Sequence, residues 1–377
     1  MRAKRILLLM DNRADSNWGS QATTTELVRL LSAHHPGAEI RGLPRSVTRP
    51  NSALKRRLAD ATATSIAEWD LFETGPGLTI LQWLSGGWQA DIEWCDLIVV
   101  NGEGTLHPQK QTLRWMPTLK WLQRKSGKPI WVVNCSVQFV GASHESLYRS
   151  VLGAADRLVL RDPISKEECD VACIRATLAA DCAFSTEPSC TDQARQVIES
   201  ATAGKPFAVF TGSASVKRWP LETQMRLISR VVNAGLRPIY SSSTAEDDLN
   251  YRRLKNAGVS LPIVTHSDLS FGEYCHLISQ ANILIGGRFH PLIFAAKVGT
   301  PFVAVESTTH KMRGLVRMLN CEEQLCEFDD ADRQMGALDR AIAERKDRGA
   351  SLAAIASVLS KRTHLSATEE LENGSQH

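Results

Sequence analysis

Two things are missing from this chain at the outset: long apolar runs and any paired Cys-x-x-Cys spacing. No stretch carries the roughly twenty consecutive apolar residues that a bilayer-spanning helix needs, so any membrane role would be peripheral. The basic and then apolar start, Met1 to Met10, is cut off at Asp11, too early for the apolar segment of a signal peptide. Nine cysteines, an odd number, lie scattered, which speaks against a disulfide framework and against a zinc ribbon. They are expected to be buried, reduced thiols, with Cys169 and Cys173, like Cys321 and Cys326, read as packing pairs, and no metal is expected. Excess charge of one sign is absent too: 44 basic and 41 acidic residues leave a formal +3, too weak a field to argue for nucleic acid. Neither a low-complexity tract nor a short repeat is visible, which excludes solenoids and arrays.

What remains describes a globular α/β protein. A chain of 377 residues, 43% hydrophobic and 23% charged, exceeds the size of a single growing core and favours two domains. Strand-length apolar runs alternate with amphipathic stretches, the rhythm of parallel sheets built from βαβ crossovers. In the first half the expected strands are 6–10, 38–43, 97–100, 130–133 and 157–160. Helices are expected over 21–33, with Leu27, Leu30 and Leu31 on one face, and around Leu113, Met116, Leu119 and Leu122, with Pro117 starting a new turn. The stretch 184–205 reads as polar and irregular and is taken as the domain crossing. A second series of strands follows at 207–210, 238–241, 263–265, 283–285 and 302–305. Between them Leu221, Met225, Ile228 and Val232 form a stripe that Gly235 terminates. The expected division is 1–195, 196–328, two C-terminal helices within 329–365, and a frayed tail over 366–377. The fold class is thus two Rossmann-like domains whose parallel sheets face a cleft, with ligands expected at the carboxyl ends of strands.

Candidate chemistry lies at those ends. The segment 281–301 reads as strand, glycine turn and buried helix, with Gly286-Gly287-Arg288-Phe289-His290 at the junction. The glycines would let backbone approach a ligand, and Arg288 beside a helix N-terminus suits a carboxylate or phosphate. The bland alternative pairs Arg288 with a structural carboxylate and leaves His290 as a helix cap. Lys311 and Arg313 follow the next strand and could reach the same anion. In the first half, Asn101-Gly102-Glu103-Gly104 follows a strand; its backbone could cradle a ligand and Glu103 or His107 could take a proton from a sugar hydroxyl, against the alternative of a tight turn with solvent-facing Glu103. Asn17-Trp18-Gly19-Ser20 offers Trp18 to stack on a sugar ring or to seal the core, and Ser20 as a helix N-cap. Arg161-Asp162 and the 211–217 loop with Lys217 complete the set, Asp162 reading as the cap of the next helix.

Taken together, Asn17-Trp18-Gly19, Asn101-Gly102-Glu103-Gly104, Arg161-Asp162 with Ser165, Asp181 with Phe184, the Gly287-Arg288-Phe289-His290 helix and Lys311 resemble the polysaccharide pyruvyltransferase family. The resemblance runs over about residues 5–320, and the 287–290 motif is its specific part. It implies a glycosyltransferase B-like fold, an acceptor side in the first domain and a donor side in the second. It also implies transfer of pyruvate from phosphoenolpyruvate to sugar hydroxyls as a ketal, with no separate cofactor. By the same resemblance His290 is the acid/base residue, Arg288 a phosphoenolpyruvate ligand, and Arg161 and Lys311 helpers. Two positions depart from the family pattern: Ser20-Gln21 stand where an acidic residue is common, and Glu306 lies near a frequent tyrosine. The rival readings are a nucleotide-sugar glycosyltransferase and a non-catalytic sugar-binding relative. A cytoplasmic location is expected, and a lipid-linked acceptor would bring the chain to the inner face of the membrane, with Trp83, Trp88 and Trp94 as the region to inspect for an exposed aromatic patch.

Overall fold

The computed structural model describes residues 4–44, 88–106, 112–215 and 218–369. Lys217, His107 and Trp83 lie outside the described residues. Cα packing divides the chain into two compact units: 1–14, 27–181 and 363–377 form unit 1, and 15–26 with 182–362 form unit 2.

Unit 1 is built on strands β1 (Arg5–Asp11), β2 (Glu39–Pro44), β3 (Leu97–Leu106), β4 (Ile130–Val137), β5 (Arg157–Leu160) and β6 (Thr177–Leu178), in the order β2-β1-β3-β4-β5-β6. Every pair is parallel, for example Ile6 with Leu97 and Ile98 with Ile130. Its helices are α2 (Gln89–Trp94), α3 (Thr112–Lys125), α4 (Ala142–Leu152) and α5 (Pro163–Val171). α1 (Trp18–His34) begins among residues of unit 2 and ends among those of unit 1. Because helices cover parallel sheets, the strands read as continuous apolar runs, and β4 is buried at every position. Leu27, Leu30 and Leu31 are buried as expected, as are Met116, Leu119 and Leu122. α3 runs through Pro117 without a break.

Unit 2 repeats the scheme with β7 (Phe207–Ser213), β8 (Arg237–Ser242), β9 (Ile263–Thr265), β10 (Ile283–Gly287), β11 (Phe302–Val305) and β12 (Leu325–Cys326), again all parallel, in the order β12-β11-β10-β7-β8-β9. Around it lie α6 (Asp192–Thr202), α7 (Leu221–Asn233), α8 (Ala245–Asn256), α9 (Phe271–Gln280), α10 (Phe289–Val298), α11 (Lys311–Met318), α12 (Ala331–Ala343) and α13 (Arg345–Arg362). The expected class, two Rossmann-like α/β units with parallel sheets, is the class found. Among the described residues no helix is long and apolar enough to cross a membrane.

Several boundaries shift. Packing breaks at 181/182, not at 195/196, because the stretch expected to be irregular contains α6, capped by the Thr191 side chain and packed against β8 and β9. The C-terminal helices belong to unit 2, where α12 contacts α7 and β11. The expected frayed tail is ordered as far as it is described: Thr363–Ser366 form a 3-10 turn, Leu365 and Ala367 are buried, and Glu369 pairs with Lys4 at 2.5 Å. Residues 370–377 lie outside the described residues. The stripe on α7 is rotated: Gln224, Leu227, Ile228 and Val231 face inward while Val232 is 54% exposed. Gln224 hid this face, since a polar residue was not read as core; its amide is satisfied inside by Asn250 and the Trp219 carbonyl. Gly235 ends the helix as expected, at φ +76°.

Candidate active site

The 287–290 motif sits where β10 meets α10. Gly286 has φ +153°, and a side chain there would meet the Thr211 carbonyl oxygen at 2.7 Å. At Gly287 a Cβ would stand 2.9 Å from Ser213 Oγ and 3.3 Å from the Glu306 carbonyl oxygen. Both glycines therefore admit neighbouring strand ends; the close approach expected for a ligand is taken by the protein's own backbone.

Arg288 is the residue before α10, with its side chain 16% exposed. Its Nε donates to Asp247 Oδ1 at 2.7 Å and its Nη2 to Thr244 Oγ1 at 2.5 Å, with Glu246 Oε2 3.7 Å away. The structural-carboxylate alternative is thus realised here, and any anion must share the guanidinium with this clamp. Burial raises the Asp247 carboxyl above its usual range, and Arg288 opposes that rise. Thr244-x-x-Asp247 is a helix-start pattern at the end of β8, with Thr244 Oγ1 accepting from the Asp247 N–H. That pattern signals the helix start but not its contact with Arg288.

His290 lies in the first turn of α10, half-buried, with its ring edge-on to Phe289 at 5.3 Å. Its Nε2 is 3.3 Å from Thr23 Oγ1, and the tautomer decides which atom donates. A Cβ at Gly19 would fall 2.0 Å from His290 Nδ1. The Asn17-Trp18-Gly19 turn, although early in the sequence, therefore belongs to the His290 site of unit 2. Asn17, not Ser20, caps α1, its Oδ1 accepting from the N–H groups of Gly19 at 2.9 Å and Ser20 at 3.4 Å. Ser20 is already one turn inside. Trp18 seals the core: it is 2% exposed, stacks on Tyr274 at 3.9 Å and donates its indole N–H to the Leu269 carbonyl at 2.7 Å. No face of that ring is left to a sugar.

Lys311 opens α11, half-buried, with its ammonium 6.0 Å from the Phe289 ring centroid. Arg313 is exposed and pairs with Glu306 at 2.6 Å, so the departing residue Glu306 neutralises the neighbouring cation.

The first-half candidates lie in unit 1. β3 continues through Leu106, so the expected glycine loop is strand with a register shift between Glu103 and Leu106. A Cβ at Gly102 would meet Cys135 Cβ at 2.4 Å, which ties this glycine to close packing on β4 and not to a ligand cradle. Gly104 is half-buried on the same strand. Glu103 is buried, not solvent-facing, at φ +40°. Its Oε1 accepts from Asn12 Nδ2 at 2.8 Å and Asn101 Nδ2 at 3.3 Å, and Asn134 Nδ2 donates to Asn101 Oδ1 at 3.2 Å. The partners Asn12, just after β1, and Asn134, on β4, are not marked by any local pattern in the sequence. Arg161 does not face an opening: its Nη1 donates to Asp181 Oδ2 at 2.7 Å, each side chain 1% exposed, and its Nε to Ser136 Oγ at 3.0 Å. Asp162 caps α5 as expected, accepting from the Ser165 N–H at 2.9 Å. In the tryptophan region Trp88 is buried and Trp94 carries the Arg41 guanidinium 3.9 Å above its ring. An open groove of about 610 Å³ along α7, lined by Leu221, Met225, Arg226, Arg230 and Met335, uses none of these residues.

Fold and site together define an α/β protein of two Rossmann-like units with an arginine and a histidine at a strand-to-helix junction. Solved structures share the fold. UDP-GlcNAc 2-epimerase from Methanocaldococcus jannaschii, in complex with UDP-GlcNAc and UDP, aligns with TM-score 0.58 at 11% identity over 95% of this chain and 99% of that one. S. aureus MnaA with UDP gives 0.61 at 13% over 96% and 94%. The α,α-trehalose-phosphate synthase (UDP-forming) from Burkholderia vietnamiensis gives 0.58 at 12% over 97% and 97%. No curated protein matches the chain by sequence. The polysaccharide pyruvyl transferase family model matches residues 19–309, and the chain belongs to that family.

Proposed function

We propose that this protein transfers pyruvate from phosphoenolpyruvate to two hydroxyls of a sugar in a glycan, forming a ketal. The observation that carries the reading is the meeting of His290 with Gly19 beside clamped Arg288, three residues that all lie inside the family segment. Phosphoenolpyruvate carries a phosphate and a carboxylate, and arginine is suited to either by its planar donor fork. In the reaction C3 gains a proton as one sugar oxygen bonds to C2. The second sugar oxygen then bonds to C2 as the bond from C2 to the phosphate oxygen breaks. Of the two hydroxyl protons one ends on C3 and the other on phosphate, so the balance needs no further reactant.

His290 is assigned the proton transfer, a role worth ~10²–10⁴ in rate. Arg288 and Lys311 are assigned the charge of the departing phosphate. Glu103, held by Asn12 and Asn101, is assigned as a proton acceptor for sugar hydroxyls. Arg161 and Trp18 are withdrawn from ligand roles, since their side chains are consumed by Asp181 and by Tyr274. Thermal unfolding with phosphoenolpyruvate against nucleotide sugars tests the reading. At a hundredfold excess over its dissociation constant a ligand adds about 2.7 kcal/mol, and phosphoenolpyruvate should do so in the wild type but not in Arg288→Ala. Stabilisation by nucleotide sugars alone would replace pyruvyl transfer with glycosyl transfer.

A further inference from the structure

We propose that Asp247 and Thr244 are positioning residues for Arg288, binding one edge of its guanidinium so that the opposite end is presented to the donor's anionic group. This rests on the reading of Arg288 as a donor ligand. The Nε and Nη2 donors lie along one edge of the planar fork, and both are taken, by Asp247 Oδ1 and Thr244 Oγ1. Among the described residues Nη1 has no hydrogen-bond partner, so the orientation of the group is fixed while part of it remains available.

The holders are themselves held. Asp247 Oδ2 accepts from the Ser243 N–H at 3.3 Å and the Thr244 hydroxyl at 3.1 Å, and the Asp247 carbonyl accepts from the Tyr240 hydroxyl at 3.2 Å. Thr244 Oγ1 uses its proton on Asp247 and accepts from the Asp247 N–H and from Arg288, which is the full capacity of a hydroxyl. Gly212 completes the wedge, because a Cβ there would lie 2.2 Å from Asp247 Oδ1. Residues at the carboxyl ends of the neighbouring strands β7, β8 and β10 thus form one cluster: Gly212 against Asp247, and Asp247 and Thr244 against Arg288.

A comparison within the chain separates this arrangement from a purely structural ion pair. In the Arg161–Asp181 pair both side chains are 1% exposed. In the Arg288–Asp247 pair the carboxylate is 3% exposed and the arginine 16%, so this arginine keeps an accessible part that Arg161 lacks. Carboxylates beside a ligand-binding arginine also oppose an incoming anion, so the sign of the effect is informative. Orientation dominates if loss of the acceptor weakens binding, and charge dominates if it strengthens binding.

The test is titration of phosphoenolpyruvate, by calorimetry and thermal shift, into wild type, Arg288→Ala, Asp247→Ala, Asp247→Asn and Thr244→Val. Arg288→Ala should abolish binding. Asp247→Ala should raise the dissociation constant about tenfold or more, in line with the cost of misplacing a substrate-positioning group. Asp247→Asn should stay within a few fold of wild type, because its amide oxygen still accepts from Nε; this rescue by shape is not expected of a residue that matters only through charge. Thr244→Val, which removes one of the two hydrogen bonds to Arg288 together with the hydroxyl's bonds to Asp247 and keeps the buried carboxylate, should weaken binding several fold and decides the matter if Asp247→Ala does not fold. If Arg288→Ala binds as wild type, the donor reading of Arg288 fails and the proposal with it. If Arg288→Ala loses binding while Asp247→Ala and Thr244→Val bind as tightly as wild type or more tightly, the donor reading survives and the positioning role is overturned.

Discussion

Gly19→Ala adds one methyl group at the point where the N-terminal turn meets His290. The new Cβ would lie 2.0 Å from Nδ1, 2.2 Å from Cγ and 2.5 Å from Cβ of that histidine, against 3.4–4 Å for ordinary contact. Imidazole or helix must therefore move by more than an ångström. The imidazole is anchored in the first turn of α10 and α1 by the Asn17 cap, so neither yields freely. Overpacking of this kind costs about 1–3 kcal/mol. A catalytic group misplaced by an ångström loses about 10²-fold in rate. Urea unfolding monitored by tryptophan fluorescence reads the first quantity, and release of inorganic phosphate from phosphoenolpyruvate in the presence of acceptor reads the second. The double variant Gly19→Ala/His290→Ala should recover most of the lost stability, with a coupling energy of about 0.5–3 kcal/mol typical of residues in contact. Wild-type stability and wild-type turnover in Gly19→Ala would refute the contact and the assignment of His290 together.

Other outcomes follow from the same geometry. Arg161→Met should cost about 3–5 kcal/mol by taking the guanidinium away from the buried Asp181 carboxylate, whereas Arg161→Met/Asp181→Leu should recover most of it; a loss of donor binding without loss of stability would restore Arg161 to a ligand role. Trp18→Phe removes the indole N–H bond to Leu269 and should cost about 1–2 kcal/mol in chemical unfolding, with donor affinity unchanged. Glu273 caps α9, and hydrogen bonds from Thr191 and Ser270 hold its carboxyl below the ordinary value of 4.5. A depressed folded value means that this contribution is complete above the unfolded pKa and disappears as pH falls through the folded one. Glu273→Gln should therefore lower Tm at neutral pH and coincide with wild type in strong acid; equal differences at both pH values would contradict the assignment.

The architecture was legible because parallel sheets covered on both faces write their strands as uninterrupted apolar runs, and β1, β4, β7 and β10 were all read that way. Turn chemistry was legible as well, in the Asp162 cap and in Gly235. Partners across sequence were not. Nothing local links Gly19 to His290 or Arg288 to Asp247, and the glycines at 102 and 287 signal only that something comes close. They do not signal whether that something is a ligand or a neighbouring strand. In both cases it is a strand. Residues of mixed character misled in a related way: Trp18 and Arg161 are of types that often bind ligands, but Tyr274, far away in the chain, and Asp181, 20 residues on, claim them. Gln224 failed in the opposite direction, a polar residue whose partners make it core.

The discontinuous make-up of the units bears on how the chain is made. Trp18 leaves the ribosome 251 residues ahead of Leu269, whose carbonyl it needs. At the ~5–20 residues per second of synthesis the delay is on the order of ten to fifty seconds. For that time a tryptophan destined for a dry stack stands in water on the nascent chain, exposed to any hydrophobic surface that will take it. Unit 1 waits as well, since the Arg157 guanidinium donates to the Leu365 carbonyl, which is made 208 residues later. Unit 1 is therefore not finished when its own sheet is finished, so a chain released before residue 365 would carry that sheet whole and Arg157 without this acceptor.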